Sequence, residues 1–390
     1  MLISINDLAL QRPTWAEINL DTLHSNFLAI KNAVKPAAVL AVVKADAYGH
    51  GAVVIARELS RLGVDRLGTA TALEAIELRK ASITIPVVVL SGLRIPQIPL
   101  LLQYDLIPAV YDIEFLRALD AFTEKHRKNV KVHLKVDTGM GRLGFTPEDA
   151  AAVLKKKYSY IQIEGVYTHF ANADVAEDDY TNLQLRRFLD FLKLTGLRST
   201  PAGTPDPNRV LYCHAANSAA ILNFPDSRLD LVRPGLILYG MTSDPGAEIL
   251  QRPILSLKSR IIALRRIAEG ETIGYGRTFR TTRESMIATV PFGYADGLRR
   301  SLSNRLEVEV CGRICRVAGT ISMDLCMLDV TELADQIHLD DEVTFIGPQT
   351  TAWDWARLLN TIPYEITCLI GARVPRVYIK DGQICDVYYP

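Results

Sequence analysis

The chain lacks an excess of either charge. Its 44 lysines and arginines are matched by 44 aspartates and glutamates, so it has neither the basic surface that neutralises a nucleic-acid backbone nor an acidic tail. Nucleic acid is therefore not an expected partner. A long hydrophobic run is missing too: nothing approaches the roughly 20 apolar residues that span a bilayer. The start, MLISINDLALQRPTW, includes Asp7 and lacks the basic beginning and unbroken apolar stretch of a signal peptide. No membrane partner and a cytoplasmic location are the expectation. Paired cysteines are absent as well. Cys213, Cys311, Cys315, Cys326, Cys368 and Cys385 form no C-x-x-C and have no matching histidine pair, which argues against a disulfide scaffold and a zinc site. They read as reduced thiols, mostly buried, and no metal is expected.

What is present is an ordinary globular composition, 48% hydrophobic and 23% charged over 390 residues, longer than one core usually supports. From about residue 14 to 253, short β-rich runs alternate with helical stretches, the pattern of βα units around a parallel sheet. The runs are 39–45, 66–70, 85–92, 106–111, 130–139, 161–170, 210–217 and 229–240. Helix formers dominate 72–81 and 146–157, the latter opening on Thr146 and Pro147. Eight such units fit a (β/α)8 barrel of the TIM type. From 254 to 390, joined by the first 13 residues, the texture becomes strands and tight turns, with hairpins at Gly312 and at Asp381-Gly382 and one helix near 350–359. This is expected to be a separate, predominantly β domain. The stretch 201–209, rich in proline and glycine, is expected to be an exposed loop.

Barrel active sites lie at the C-terminal ends of the strands, so polar residues there carry the functional argument. AVVKADAYGHG puts Lys44 and Tyr48 at the end of the first run. A lysine in that position is either a side chain that snorkels to solvent or an amine for Schiff-base chemistry. KVDTGMGRLGF holds Gly139, Gly141 and Gly144 in a G-x-G-x-x-G spacing, with Glu164 about twenty residues on. A dinucleotide site needs those glycines to open straight into a helix whose bare N-terminus receives the pyrophosphate. Here Phe145-Thr146-Pro147 intervenes and Glu148 and Asp149 put negative charge on the first turn, so that reading is set aside. Arg142 in this loop can instead donate to a cofactor phenolate oxygen and to a substrate carboxylate.

Later strand ends carry His169, then Asn217 and Ser218, then Arg233, Pro234 and Gly235. Singly, each has an ordinary explanation: a satisfied core histidine, a helix cap, a turn. Small residues and backbone N–H groups after the seventh and eighth strands are also where barrels bind phosphate. The second domain offers Tyr275 between two glycines, Tyr294 in PFGYADG, and Met323 and Asp324 in SMDLCMLDV. Alone, Tyr275 is an exposed loop tyrosine.

In order along the chain, AVVKADAYGHG, VDTGMGRLGF, THFANAD, HAANSAA, VRPGLILYG, GYGRTF, PFGYADG, SMDLCMLDV and ARVPR resemble bacterial alanine racemases, fold-type III enzymes that use pyridoxal 5′-phosphate. The resemblance covers nearly the whole length. It implies interconversion of L- and D-alanine, supplying D-alanine for peptidoglycan, by a head-to-tail homodimer with shared active sites. Lys44 would carry the cofactor, with Tyr48, Asn217, Ser218 and Gly235 near its phosphate, Arg233 facing its ring nitrogen and Arg142 its phenolate side. Lys135, carbamylated in relatives, would hold Arg142. Lys44 would serve the D-form and Tyr275 of the partner chain the L-form, with His169 between Tyr275 and Arg233. Met323, Asp324, Tyr294 and Arg142 would surround the substrate. One position departs: some relatives have a tyrosine before RVPR where this chain has Ala372, which keeps a broad-specificity or serine racemase as an alternative. A non-catalytic cofactor-binding barrel would lack the second domain, and a basic amino-acid decarboxylase would carry other C-terminal motifs.

Overall fold

A computed structural model describes residues 13–176, 179–197, 212–241 and 252–389. Parallel strands covered on both faces need apolar residues at nearly every position, and each of the eight apolar runs supplies one strand. They are β1 Ala38–Val42, β2 Arg66–Thr69, β3 Val87–Val89, β4 Ile107–Val110, β5 Val130–Lys135, β6 Ile161–Tyr167, β7 Tyr212–His214 and β8 Leu231–Val232. Neighbours pair in parallel in that order, and β8 returns to β1 through Ala38↔Leu231 and Val39↔Val232. Two backbone hydrogen bonds bring β7 to β8, from Asp230 N to Cys213 O (3.0 Å) and from Arg233 N to Ala216 O (2.9 Å). The cylinder of a TIM-type barrel is thereby nearly closed.

Helices follow where capping signals stand. Thr71 and Glu74 make a reciprocal capping box for Ala72–Lys80, and Thr146 with Pro147 starts Pro147–Lys155. The run 229–240 departs from expectation. Its strand ends at Val232, and Leu236–Tyr239 is a 3-10 turn, because Pro234 and Gly235 break the ladder.

The second unit is built on a ten-stranded sheet in the spatial order Ala263–Ile267, Ser285–Val290, Cys326–Asp329, Arg313–Val317, Glu307–Val310, Glu342–Ile346, Leu255–Arg260, Thr14–Asn19, Arg376–Lys380, Gln383–Tyr388. Both expected hairpins are present, Glu307–Val310 with Arg313–Val317 and Arg376–Lys380 with Gln383–Tyr388, but the single expected helix, Ala352–Leu359, is followed by a second, Pro363–Cys368, which starts at a proline. The division of the chain differs from the expected boundary at residue 14. Among the described residues, 13–23, 48–51 and 252–389 form one unit, and those of 24–47 and 52–241 the other. The reason for the first transfer is that Thr14–Asn19 pairs with Leu255–Arg260 on one side and Arg376–Lys380 on the other.

All six cysteines are free thiols, but only Cys213, Cys315 and Cys326 are buried; Cys311, Cys368 and Cys385 are exposed, so the expectation of mostly buried thiols is corrected. Among the described residues no helix is long and apolar enough to cross a membrane, and no group of three or more His, Cys, Asp or Glu could hold a metal ion. The Asp7 segment and the loop 201–209 lie outside the described residues.

Candidate active site

Lys44 stands just past β1, at the C-terminal end of the barrel, where the chain makes an uncommon turn. Ala45, Asp46, Ala47 and Tyr48 all have positive φ, between 51° and 56°, so Lys44–Gly49 is one turn of left-handed helix. That conformation costs an L-residue about 1–2 kcal/mol, and four in succession persist only if the surroundings hold them. Within the barrel unit Ala45 N donates to Glu74 Oε1 (2.8 Å), Ala52 N to Asp46 Oδ1 (2.7 Å) and Ala47 N to Val43 O (2.9 Å).

Residues 48–51 sort with the second unit, and the contacts show why. Buried Arg376 donates from Nε to Gly49 O (3.0 Å), and the Tyr378 hydroxyl donates to His50 O (2.9 Å). A Cβ at Gly49 would fall 2.1 Å from Thr367 O, and one at Gly51 1.7 Å from the Tyr378 hydroxyl. Only glycine permits that approach at both positions. Tyr48 lies edge-on to Tyr364 with ring centroids 6.5 Å apart, and burial, then Cys368 and Tyr364, raise its pKa.

Arg233 follows β8 and is buried. Its Nη1 donates to His214 Nδ1 (2.8 Å), and its Nη2 donates to Thr168 O and Ala215 O (2.8 Å each), with His169 Nδ1 at 3.3 Å. Burial lowers its pKa to about 10, which still leaves it a cation near neutrality. Lys135 ends β5, with its Nζ 5.6 Å from the centre of the Tyr167 ring. Burial first, then the charges of Arg142, Arg233 and Lys44, bring its pKa down to about 8. His169 is lowered well below its ordinary value, by burial and then by Arg233, Lys135, Arg142 and Lys44. These mutual effects place four cations, Lys44, Lys135, Arg142 and Arg233, around one region at the barrel's C-terminal end.

The glycine loop is shaped by Asp137. Its carboxylate accepts from Gly139 N and Met140 N (2.8 Å each) and from Gly141 N (2.9 Å). The backbone thus curls around a carboxylate, leaving Arg142 exposed on the loop. The helix beyond is capped by Thr146, whose Oγ1 accepts from Asp149 N (3.1 Å). These glycines do not open into a bare helix N-terminus.

Ser218 Oγ accepts from Gly235 N (2.8 Å), joining the ends of β7 and β8, and Asn217 Oδ1 caps the helix Ser218–Asn223 through Ala220 N (2.9 Å). For that oxygen of Asn217, helix capping is the structural task. Four basic side chains, one of them the strand-end Lys44, and a serine–glycine junction form a donor set that fits a compact dianion bearing an aldehyde.

In the second unit, Tyr275 tops a two-stranded ribbon, Thr272–Ile273 with Phe279–Arg280, and is 71% exposed. Gly274, Gly276 and Arg277 have φ of 71°, 70° and 53°, so the flanking glycines meet a backbone requirement. Tyr294 and Met323 lie on neighbouring segments, with Tyr294 N donating to Ser322 O and Ala295 N to Met323 O (3.0 Å each). Asp324 pairs with Arg373 Nη2 at 2.8 Å, and Arg373 also reaches Asp296 at 3.0 Å. Arg373 lies in the ARVPR motif, where nothing local in the sequence points to its carboxylate partners. His214 and Tyr167 likewise take their meaning from partners distant in the chain, as does Arg376 through Gly49 O, although Arg376 also donates to the nearby Ile370, Gly371 and Val374 carbonyls.

A family profile described as alanine racemase, N-terminal domain, matches residues 18–243, and one described as alanine racemase, C-terminal domain, matches 254–378. The chain is similar to an alanine racemase of Clostridium novyi, 39% identical over 388 residues and covering 96% of this chain and 98% of that one. It is 43% identical over 378 residues to an alanine racemase of Halothermothrix orenii, covering 94% and 97%. A solved alanine racemase of Clostridium difficile 630 superposes with a TM-score of 0.89 at 36% identity, covering 96% and 98%.

Proposed function

Because the chain belongs to the alanine racemase family, we propose that it interconverts L- and D-alanine using pyridoxal 5′-phosphate, with Lys44 and Tyr275 of a second copy as its two proton carriers. Lys44 would bind the cofactor covalently, Tyr48, Asn217, Ser218 and Gly235 would take its phosphate, Arg233 its ring nitrogen and Arg142 its phenolate side. When bound, that group supplies the electron sink that makes an amino-acid Cα–H acidic.

The chain's residues do the rest. Inversion needs a proton removed from one face of Cα and another delivered to the opposite face, which one base cannot easily do. Lys44 Nζ serves one face. The Tyr275 hydroxyl of the second copy serves the other, with His169 beside Arg233 as its partner. Arg233, a cation near neutrality, would donate to the cofactor's ring nitrogen without protonating it, which would limit the sink and favour return of the proton. The backbone N–H groups at Met323 and Asp324 of the second copy receive the substrate carboxylate, and Arg142 and Tyr294 also stand about the substrate. The Asp324 carboxylate is already paired with Arg373, so its charge does not oppose that of the substrate.

Lys135, its pKa lowered to about 8, is mostly charged near neutrality but offers carbon dioxide a larger fraction of neutral amine than an ordinary lysine, and its carbamate would put a negative charge beside Arg142. A head-to-tail homodimer, a cytoplasmic location and a supply of D-alanine to peptidoglycan complete the reading. The observation that carries it is the meeting of Lys44 with three further cations at one barrel end. The test is a chiral assay of alanine with the purified, cofactor-loaded chain, accompanied by visible absorbance before and after borohydride. Absence of D-alanine formation from L-alanine by the loaded protein would refute it. Ala372, exposed beside Arg373, favours one second reading, a racemase that also accepts serine; relative turnover of L-alanine, L-serine and L-lysine separates the two.

A further inference from the structure

Glu164, the acid of the dinucleotide-like spacing, has no task in this reading, yet it is wholly buried. Arg66 Nη1 lies 2.7 Å from its Oε1, and Lys131 Nζ 3.1 Å from its Oε2. His133 Nε2 stands 3.5 Å from Oε1, long for a hydrogen bond and therefore chiefly electrostatic. From His133 the contacts continue. Its Nδ1 is 2.9 Å from His214 Nε2, and His214 Nδ1 is 2.8 Å from Arg233 Nη1. A buried polar path thus joins Glu164 to Arg233 through two histidines, both without exposed surface.

Donor counting gives this path a direction. A guanidinium only donates, so His214 Nδ1 accepts and its proton sits on Nε2. That N–H donates to His133 Nδ1, which puts the His133 proton on Nε2, aimed at the carboxylate. Both rings must be neutral, because protonating either would set two N–H groups face to face. The surroundings agree. Burial, then Arg233, His133 and Arg66, hold His214 well below its ordinary pKa, and burial lowers His133 despite the opposing pull of Glu164. Burial alone would lift the Glu164 carboxyl, but His133, Arg66 and Lys131 outweigh it and bring the pKa to about 2.

The sequence builds this path with a register shift. Val132 pairs with Ile163 and His133 with Gly165, so the pairing skips Glu164, and such bulges re-aim side chains. A Cβ at Gly165 would lie 2.6 Å from His133 Nδ1, so glycine makes room for the ring. Tyr167 stacks on His214 with centroids 4.7 Å apart.

We infer that His214, His133 and Glu164 are positioning residues: a one-way pair of hydrogen bonds through the two histidines, with the Glu164 carboxylate as its electrostatic anchor, orients Arg233 and sustains its charge toward the group it faces. Each acceptor in the chain is strengthened by the carboxylate behind it, so the Nη1–H of Arg233 is drawn toward His214 while Thr168 O and Ala215 O fix Nη2. The inference rests on the proposed placement of Arg233 against the cofactor ring nitrogen.

The experiment uses the full-length, cofactor-loaded protein. Imidazole 15N spectra of the unsubstituted chain should show His133 and His214 as neutral rings protonated on Nε2, and neither should titrate near pH ~6.5, where an ordinary histidine does. His214→Phe keeps a ring against Tyr167 but offers Arg233 no acceptor, and Glu164→Gln keeps the shape while removing the charge. Both should make the visible absorbance of the bound cofactor pH-dependent and lower kcat by roughly 10–100-fold, as lost outer-shell contacts do, with KM little changed. A His214 protonated on Nδ1, or titrating near its ordinary value, overturns the inference even if both variants fail to fold. Folded variants with unchanged spectrum and kcat overturn it too. Arg233→Gln is the reference: if it alters the cofactor spectrum and the other two do not, only the chain of histidines is wrong. If Arg233→Gln itself leaves the spectrum unchanged, the placement of Arg233 falls, and the inference with it.

Discussion

The barrel end and the exposed segments of the second unit carry the same kinds of chemistry in opposite states. In the barrel, Arg233 and Lys135 are each 4% exposed, and Arg233 is oriented by Thr168, His214 and Ala215 of the same barrel. In the second unit, Tyr275 is 71% and Met323 53% exposed. Their backbones are fixed by glycine turns and main-chain hydrogen bonds while their side chains face outward. Exposed aromatic and thioether side chains of this kind are what a partner surface could cover. That contrast supports the proposed division of labour, in which one copy holds the cofactor and a second lends the opposing base.

The contrast can be broken by substitution. Lys44→Ala is expected to have the largest effect: no cofactor fixed by borohydride, and racemisation reduced by roughly 10³-fold or more, since attachment and a proton carrier are lost together. Tyr275→Phe should keep the cofactor and its spectrum while lowering turnover of L-alanine by about 10²–10⁴-fold, the range for a positioned acid or base. Wild-type turnover in this variant would leave the exposed tyrosine outside the chemistry. Mixing Lys44→Ala chains with Tyr275→Ala chains sharpens the comparison further. A head-to-tail dimer with one chain of each kind has one intact site, so random exchange should restore about a quarter of wild-type activity. Exchange demonstrated by mass without recovered activity would put both groups on one chain.

How much of this was legible depends on where each residue's partners lie. Strands covered on both faces announce themselves as apolar runs, so all eight barrel runs contain a strand; the last was overextended because LILYG is as apolar as a strand. The left-handed turn after Lys44 was hidden, since Ala45, Asp46, Ala47 and Tyr48 give no signal for positive φ and only Gly49 and Gly51 hint at it. Glu164 was noticed for the wrong reason. Its meaning depends on Arg66 and His133, which no local pattern connects to it. Arg373 sat in a quoted motif, but its partners Asp296 and Asp324 are far along the chain.

Residues 48–51 are the exception to the contrast, a stretch that continues the Lys44 turn yet belongs to the second unit. This makes Tyr378→Phe an informative small change. It removes one hydroxyl, the donor to His50 O, and vacates the space that Gly51 leaves open, while the ring stays buried. A hydrogen bond of this kind contributes about 1 kcal/mol. If the stretch transmits that energy to the strained turn, pyridoxal 5′-phosphate should bind about fivefold more weakly, measured by titrating cofactor-free protein and following absorbance. If it only fastens the chain, the melting temperature falls and the dissociation constant does not move. A change in affinity would mean that the segment 48–51 shares in setting the geometry of the turn at Lys44.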